Sequence, residues 1–187
     1  MNLLNPFLVI VKSLLFYIID SLALFNVSPP QKNKFELVLL VRQDAIGDFI
    51  LWLDTAKEYR QLFPPKKYKI ILVGNASWCG LAEELPYWDN VIPVDARKFK
   101  SLSRYRWFLL REINNLSASI AIQPTYSREF YHGDTIIRAS TALRKVGSVG
   151  DMSNQNWLKK IISNRWYTEL VPASTKQLTE LERNSEF

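Results

Sequence analysis

The sequence predicts a doubly wound α/β domain, a parallel sheet covered by helices on both faces, and three observations carry that expectation. Short aliphatic runs alternate with longer stretches of helical periodicity from residue 35 onward, which is the pattern of repeated strand–helix–strand units. The runs are apolar throughout instead of alternating with polar residues, as strands buried on both faces are. Hydrophobic residues make up 48% of the 187-residue chain, enough to fill a packed core and too many for wholesale disorder.

The elements follow in order. Residues 3–25, "LLNPFLVIVKSLLFYIIDSLALF", form the most apolar segment. On a helical wheel Asn5, Lys12, Ser13, Asp20 and Ser21 gather broadly on one side. Leu4, Phe7, Leu8, Val11, Leu14, Leu15, Ile18 and Leu22 gather on the other. As a membrane span the segment is poor: each strong apolar residue contributes roughly −0.3 to −0.6 kcal/mol, while Lys12 and Asp20 cost about 2.5 to 3.5 each, leaving a sum near zero. No Lys or Arg precedes the apolar run and no A-x-A site follows it, so a cleaved signal also fits badly. The expectation is an amphipathic helix over residues 1–26 lying in a membrane interface, the alternative being a helix docked on the protein's own surface. Residues 27–34, within the polar and proline-bearing "NVSPPQKNK", read as a linker.

The globular part is expected over residues 35–172. Residues 35–41 read as a buried strand and 48–63 as a helix stopped by Pro64-Pro65. A second strand is expected at 68–73, a short helix at 77–85 closed by Pro86, and a third strand at 91–94. Residues 99–116 read as a helix with Lys98, Lys100, Arg104, Arg106 and Arg111 outside and Phe99, Tyr105, Trp107 and Phe108 inside. That amphipathic pattern explains the basic cluster more simply than nucleic-acid binding does. A fourth strand at 119–122, a helix at 134–145 and a short fifth strand at 146–149 complete the alternation.

Composition removes several function classes. One cysteine, Cys79, allows neither an internal disulfide nor a cysteine zinc site, and one histidine, His132, makes a histidine-rich metal centre improbable. There is no G-x-G-x-x-G after the first strand, no G-K-[ST] and no G-x-S-x-G, and Gly74 and Gly80 are spaced wrongly for a phosphate loop. The net charge of +6 suits a phosphate-bearing or anionic partner without choosing among them.

In a sheet of this kind ligands sit at the carboxyl ends of the strands. Two polar loops are expected there. The first, in "VRQDAIGDFILW", carries Arg42, Asp44, Gly47 and Asp48 where a strand turns into a helix. Asp48 reads as a helix N-cap, a use that favours the charged carboxylate, or as a general base for a hydroxyl; Asp44 is the competing carboxylate. The second, "QPTYSREFYHGD", crowds Gln123, Tyr126, Ser127, Arg128, His132 and Asp134 into one loop. Arg128 suits bidentate binding of a phosphate or carboxylate or a surface salt bridge, and Asp134 a second helix cap. A third loop, residues 147–156, offers Asp151 and Asn154.

The ordered series "VRQDAIGDFILWL", "YKIILVGNASW", "NVIPVD", "AIQPTYSREFYHGD", "KVGSVGD" and "LTELERNSEF" resembles the glycosyltransferase family 9 heptosyltransferases, which build lipopolysaccharide. The resemblance implies the N-terminal half of a GT-B architecture, in which two Rossmann-like domains flank the active cleft and the first binds the acceptor. It implies Asp48 as the catalytic base of an inverting, metal-independent transfer. Arg42, Asp44, Gly47, Tyr126, Ser127, Arg128 and Asp134 would then line the acceptor side, and residues 173–187 would begin the interdomain helix. The implied co-substrate is a nucleotide sugar, ADP-heptose by family, with no bound cofactor. The implied partners are a lipid-linked sugar acceptor and the membrane surface, not nucleic acid, at the cytoplasmic face of the inner membrane. No second set of strands and no pyrophosphate loop follow in these residues, so the chain alone is expected to have negligible activity unless a separate polypeptide supplies the donor domain. The alternative is a non-catalytic glycolipid- or membrane-binding module derived from such an enzyme.

Overall fold

The computed structural model describes residues 6–25 and 35–187, so the expected linker at 27–34 lies outside the described residues. Six parallel strands form one sheet in the order β3-β2-β1-β4-β5-β6. They are β1 (Glu36–Arg42), β2 (Tyr68–Asn75), β3 (Asn90–Val94), β4 (Ile120–Gln123), β5 (Arg144–Ser148) and β6 (Glu169–Val171). The order reverses between β1 and β4, whose register pairs Val38 with Ile120 and Leu40 with Ile122. That reversal opens a crevice at the carboxyl ends of those two strands, where such sheets bind ligands.

Alternate residues of β1 feed two cores, because successive side chains of a strand point to opposite faces. Leu37, Leu39 and Val41 meet α5 (Arg104–Asn115) and α6 (Thr135–Ala139) on one face. Val38 and Leu40 meet α2 (Ile46–Leu62) and α3 (Cys79–Glu83) on the other. The second core is held by aromatic stacks, Phe49 on Trp78 at 4.0 Å between centroids and Trp52 on Trp88 at 6.2 Å. The fold is therefore α/β and Rossmann-like, wound on both faces as the sequence predicts.

Several elements depart from expectation for local reasons. The expected helix over 99–116 is broken into α4 (Ala96–Phe99) and α5 because each has its own cap. Asp95 accepts from the N–H groups of Arg97 and Lys98 at 3.0 and 3.1 Å, and Ser103 accepts from that of Arg106 at 3.2 Å. Nor does the inside–outside pattern hold, since Arg106 is buried and Phe108 exposed. The expected helix at 134–145 is a π-helical turn, Phe130–Asp134, running into the short α6; β5 then starts at Arg144, paired with Ile120. Two further elements, α7 (Trp157–Asn164) and β6, occupy residues that the sequence leaves without structure. The α7 start is marked by Asn156, whose side chain accepts from the Lys159 N–H at 3.0 Å.

The first helix, α1 (Pro6–Ala23), docks on the protein by its polar side. Asp20 forms a buried two-point ion pair with Arg106 at 2.8 and 2.7 Å, Ser13 hydrogen-bonds Tyr131 at 2.8 Å, and Ser21 accepts from Arg138. Phe16 and Ala23 are buried beside them, whereas Leu14, Leu15, Ile18 and Leu22 face outward. Among the described residues no helix is long and apolar enough to cross a membrane. The C-terminal α8 (Glu180–Glu186) opens on a capping box between Thr179 and Glu182 and lies against α2.

Candidate functional site

The crevice between β1 and β4 is built around a buried arginine. Arg42, the last residue of β1 and 1% exposed, lies with its guanidinium 5.1 Å from the centre of the Trp52 ring. It donates to Asn184 at 2.9 Å and to Glu180 at 3.2 Å, and its Nε is 2.9 Å from a carboxylate oxygen of Asp44. It also reaches the Asp48 carbonyl at 3.4 Å. One cation thereby fixes the β1–α2 loop and clasps α8 to it. Arg42 is thus buried among protein partners and positions the loop, although its Nε, close to Asp44, completes no hydrogen bond among the described residues.

Around it stand three carboxylates. Asp44 also accepts a hydrogen bond from Thr125 at 3.3 Å, which joins the two crevice loops. Burial raises its pKa above the ordinary aspartate value, Arg42 opposes the rise, and Asp48 adds to it. Glu180 is raised in the same way, by burial first, against Arg42 and with Asp48 and Asp44 as like charges. Asp48 is the third. It lies inside the first turn of α2, half-buried, and among the described residues its carboxylate takes no hydrogen bond. The helix cap is Ala45, with no side-chain cap, so Asp48 does not cap the helix. Its charge still suits the helix N-terminus, whose exposed N–H groups favour an anion. Gly47 sits beside it within the helix, and a Cβ there would meet nothing within 4 Å. The glycine is thus not needed for a tight turn, and the space beside it is open.

The second loop divides into two layers. Ser127 lines the crevice with Asp44, Thr125, Glu129 and His132. Its carbonyl accepts from Asn154 at 2.7 Å, which brings in the third polar loop. Arg128 and Asp134 lie beneath, 1% and 0% exposed, paired with each other at 3.2 Å. Arg128 also binds Asn164 and stacks on Tyr167, and Tyr167 donates to Asp134 at 2.6 Å. In this structure they hold the loop from within and present no surface to an acceptor. Asp134 makes no cap bond either. Tyr126 is covered by Arg183 of α8, 3.9 Å from its ring. Arg128 and Asp134 share one reason: the loop runs into a compact π-helical turn, Phe130–Asp134, and the two side chains turn inward and pair with each other. A Cβ at Gly133 would meet the side-chain amide of Gln123, which would have to move to admit it.

Thr125, Glu129 and Glu180 escape the sequence reading. Glu129 stands three residues before His132, the one available signal, and its Oε2 is 3.1 Å from His132 Nδ1. Burial works to raise the Glu129 pKa, but His132 and Lys100 outweigh it and hold the carboxyl below the ordinary glutamate value. Among the described residues, the Nε2 of His132 is buried without a hydrogen-bond partner beside this crevice. The crevice itself encloses about 30 Å³, the share of a single water molecule in the liquid. No three His, Cys, Asp or Glu side chains among the described residues are grouped to hold a metal ion.

Solved structures share this arrangement of strands and helices. The E. coli heptosyltransferase WaaC with ADP-2-deoxy-2-fluoro heptose matches at a TM-score of 0.62 and 17% identity, over 80% of this chain and 46% of that one. The fold of this chain is therefore similar to that of somewhat less than half of that heptosyltransferase. The same enzyme with ADP gives a TM-score of 0.62 at 18% identity, over 80% and 45% of the two chains. The glycosyl transferase family 9 protein of Veillonella parvula gives 0.63 at 16%, over 83% and 41%. The chain thus spans less than half the length of each of these proteins. No family model matches the sequence, and no curated protein does.

Proposed function

We propose that this chain is the acceptor-binding half of a glycosyltransferase, with Asp48 as the general base. The observation that carries the reading is the unpartnered Asp48 carboxylate, presented beside the open face at Gly47 on the ligand-binding edge of the sheet. In the reaction the acceptor hydroxyl attacks the anomeric carbon of the donor sugar. The new C–O bond forms as the bond to the nucleoside diphosphate breaks, and Asp48 takes the hydroxyl proton. Asp44, linked to Thr125 and to Arg42, positions the loop that carries the base. The leaving diphosphate needs its own stabilisation, and the buried Arg42 is already committed to Asp44, Glu180 and Asn184. A donor-binding half from elsewhere is therefore part of the proposal. The fold neighbours support a sugar–nucleotide reaction; heptose as the donor sugar and a lipopolysaccharide core as the acceptor belong to the proposal alone.

Calorimetry with the full chain tests the assignment, titrating a lipid A–core acceptor and ADP-heptose separately. Acceptor binding without donor binding is the expected result, with Asp48→Ala folding normally and changing acceptor binding by at least about 10-fold, roughly 1.4 kcal/mol. Donor binding would refute the assignment of this half to the acceptor, and turnover by Asp48→Ala equal to that of wild type, once a donor-binding half is supplied, would refute the role of that carboxylate.

A further inference from the structure

Two helices of this protein are oriented opposite to what a domain core requires. An amphipathic helix ordinarily turns its apolar stripe inward. In α1 the buried side holds Asp20, paired with Arg106, while Leu14, Ile18 and Leu22 are each more than half exposed. In α7 the one buried residue is Ser163, while Trp157, Leu158 and Ile161 stand out from the surface, Trp157 at 65%. The two helices are neighbours. A groove of about 440 Å³ runs between them, lined by Leu14, Tyr17, Phe130, Leu158, Ile162 and Trp166. Among the described residues its only charged lining groups are the cations Lys159 and Arg165.

We infer that α1 and α7 together form a docking surface for an anionic lipid bilayer, with the groove between them receiving an acyl chain. Charge decides among occupants. Lys12 on α1 is exposed, Lys159 lies 4.4 Å from the Tyr131 ring, and Arg165 borders the groove, so cations surround the apolar face. The acid on α1, Asp20, is buried and neutralised by Arg106. A second copy of the chain would bring the same cations face to face, since a two-fold interface joins a patch to itself. A bilayer with anionic headgroups instead offers hydrocarbon to the outward leucines and negative charge to the rim. Tyr17 and Trp157, both exposed, fit the headgroup level, where such amphipathic rings concentrate. Since α1 is anchored by its polar side, it can lie on the membrane without leaving the domain. Arg138 reinforces the anchor, stacked 4.0 Å from the Tyr17 ring and 5.2 Å from that of Trp166.

The inference is independent of the glycosyltransferase reading, because its test contains no sugar. The full chain is co-sedimented with vesicles of phosphatidylcholine alone and of phosphatidylcholine with phosphatidylglycerol. Binding to the anionic vesicles is expected, weakened by salt, and at least about 10-fold weaker for Leu14→Glu/Ile18→Glu and for Trp157→Glu. These positions are exposed, and circular dichroism with thermal unfolding confirms that the variants remain folded. Lys159→Glu/Arg165→Glu is expected to remove the preference for anionic lipid. Absence of vesicle binding would overturn the inference, as would binding equal in wild type and variants. Self-association abolished by Leu14→Glu/Ile18→Glu, without vesicle binding, would assign the face to a second copy and overturn it as well.

Discussion

Asp48 and Gly47 show how little distinguishes a structural residue from a functional one along the chain. An aspartate after a glycine at a helix start ordinarily reads as a cap, yet the cap position falls on Ala45 and leaves Asp48 without a structural duty among the described residues. Gly47 likewise has no conformational duty: it is helical and faces open space. Replacing it by alanine is expected to leave the fold intact and to raise stability by up to about 0.5–1 kcal/mol, the helix preference of alanine over glycine. Thermal unfolding of Gly47→Ala checks this, and a lowered midpoint would mean that the glycine serves the fold. Sequence could place these two residues, because the loop is short and the strand and helix on either side are strongly patterned. It could not place Arg128 and Asp134, whose inward turn depends on Tyr167 and Asn164, partners more than thirty residues away.

At the scale of elements, aliphatic strands and the helices covering them were legible because burial on both faces leaves little ambiguity in β1, β2 and β4. What was not legible was which way a helix faces. The wheel of α1 divides polar from apolar residues correctly, but its orientation is set by Arg106, more than eighty residues away, which the basic pattern of α5 suggested was solvated. Arg106 is 2% exposed and also donates to the carbonyls of Phe99 and Tyr131, at 2.8 and 2.9 Å. Removing its acidic partner leaves a buried charge with too few compensations. Asp20→Ala is therefore expected to cost about 3–5 kcal/mol, or to release α1 from the domain. Chemical denaturation measures the first outcome, and proteolysis within the first helix the second. A variant as stable and as resistant as wild type would show that the ion pair does not hold α1. The element carrying the outward-facing leucines is thus held by an interaction that no local pattern announces.

For the molecule as a whole, acid is the condition under which its charge arrangement can be read. Protonating carboxylates adds to a net charge that is already +6 at neutral pH, but the individual groups do not all act in one direction. Asp89 ties the end of α2 to β2, taking hydrogen bonds from Arg60, Lys69 and the Ile70 N–H, each at 2.8 Å. Partial burial works against its charged form, yet these donors prevail and lower its pKa from 3.8 to about 2. The unfolded chain consequently takes up this proton first as pH falls, so the stability that Asp89 contributes is complete above the ordinary value and is lost on descending from about 4 to about 2. Asp44 and Glu180 behave oppositely: their raised folded values mean that the native state binds protons first, and the crevice gains stability as pH falls through them. Acid should therefore weaken the contacts of the lowered carboxylates, Asp89 at the β2–α2 edge and Glu129 beside His132, and not those of Asp44 and Glu180. Asp89→Asn is expected to lower stability at neutral pH and to flatten the loss between pH 4 and pH 2, whereas Asp44→Asn should be neutral or stabilising at pH 7. Urea midpoints of the three proteins across that range test the assignment. An unchanged acid slope in Asp89→Asn would place the acid-sensitive contact elsewhere, and a strongly destabilised Asp44→Asn would mean that its pairing with Arg42 outweighs the cost of burying its charge.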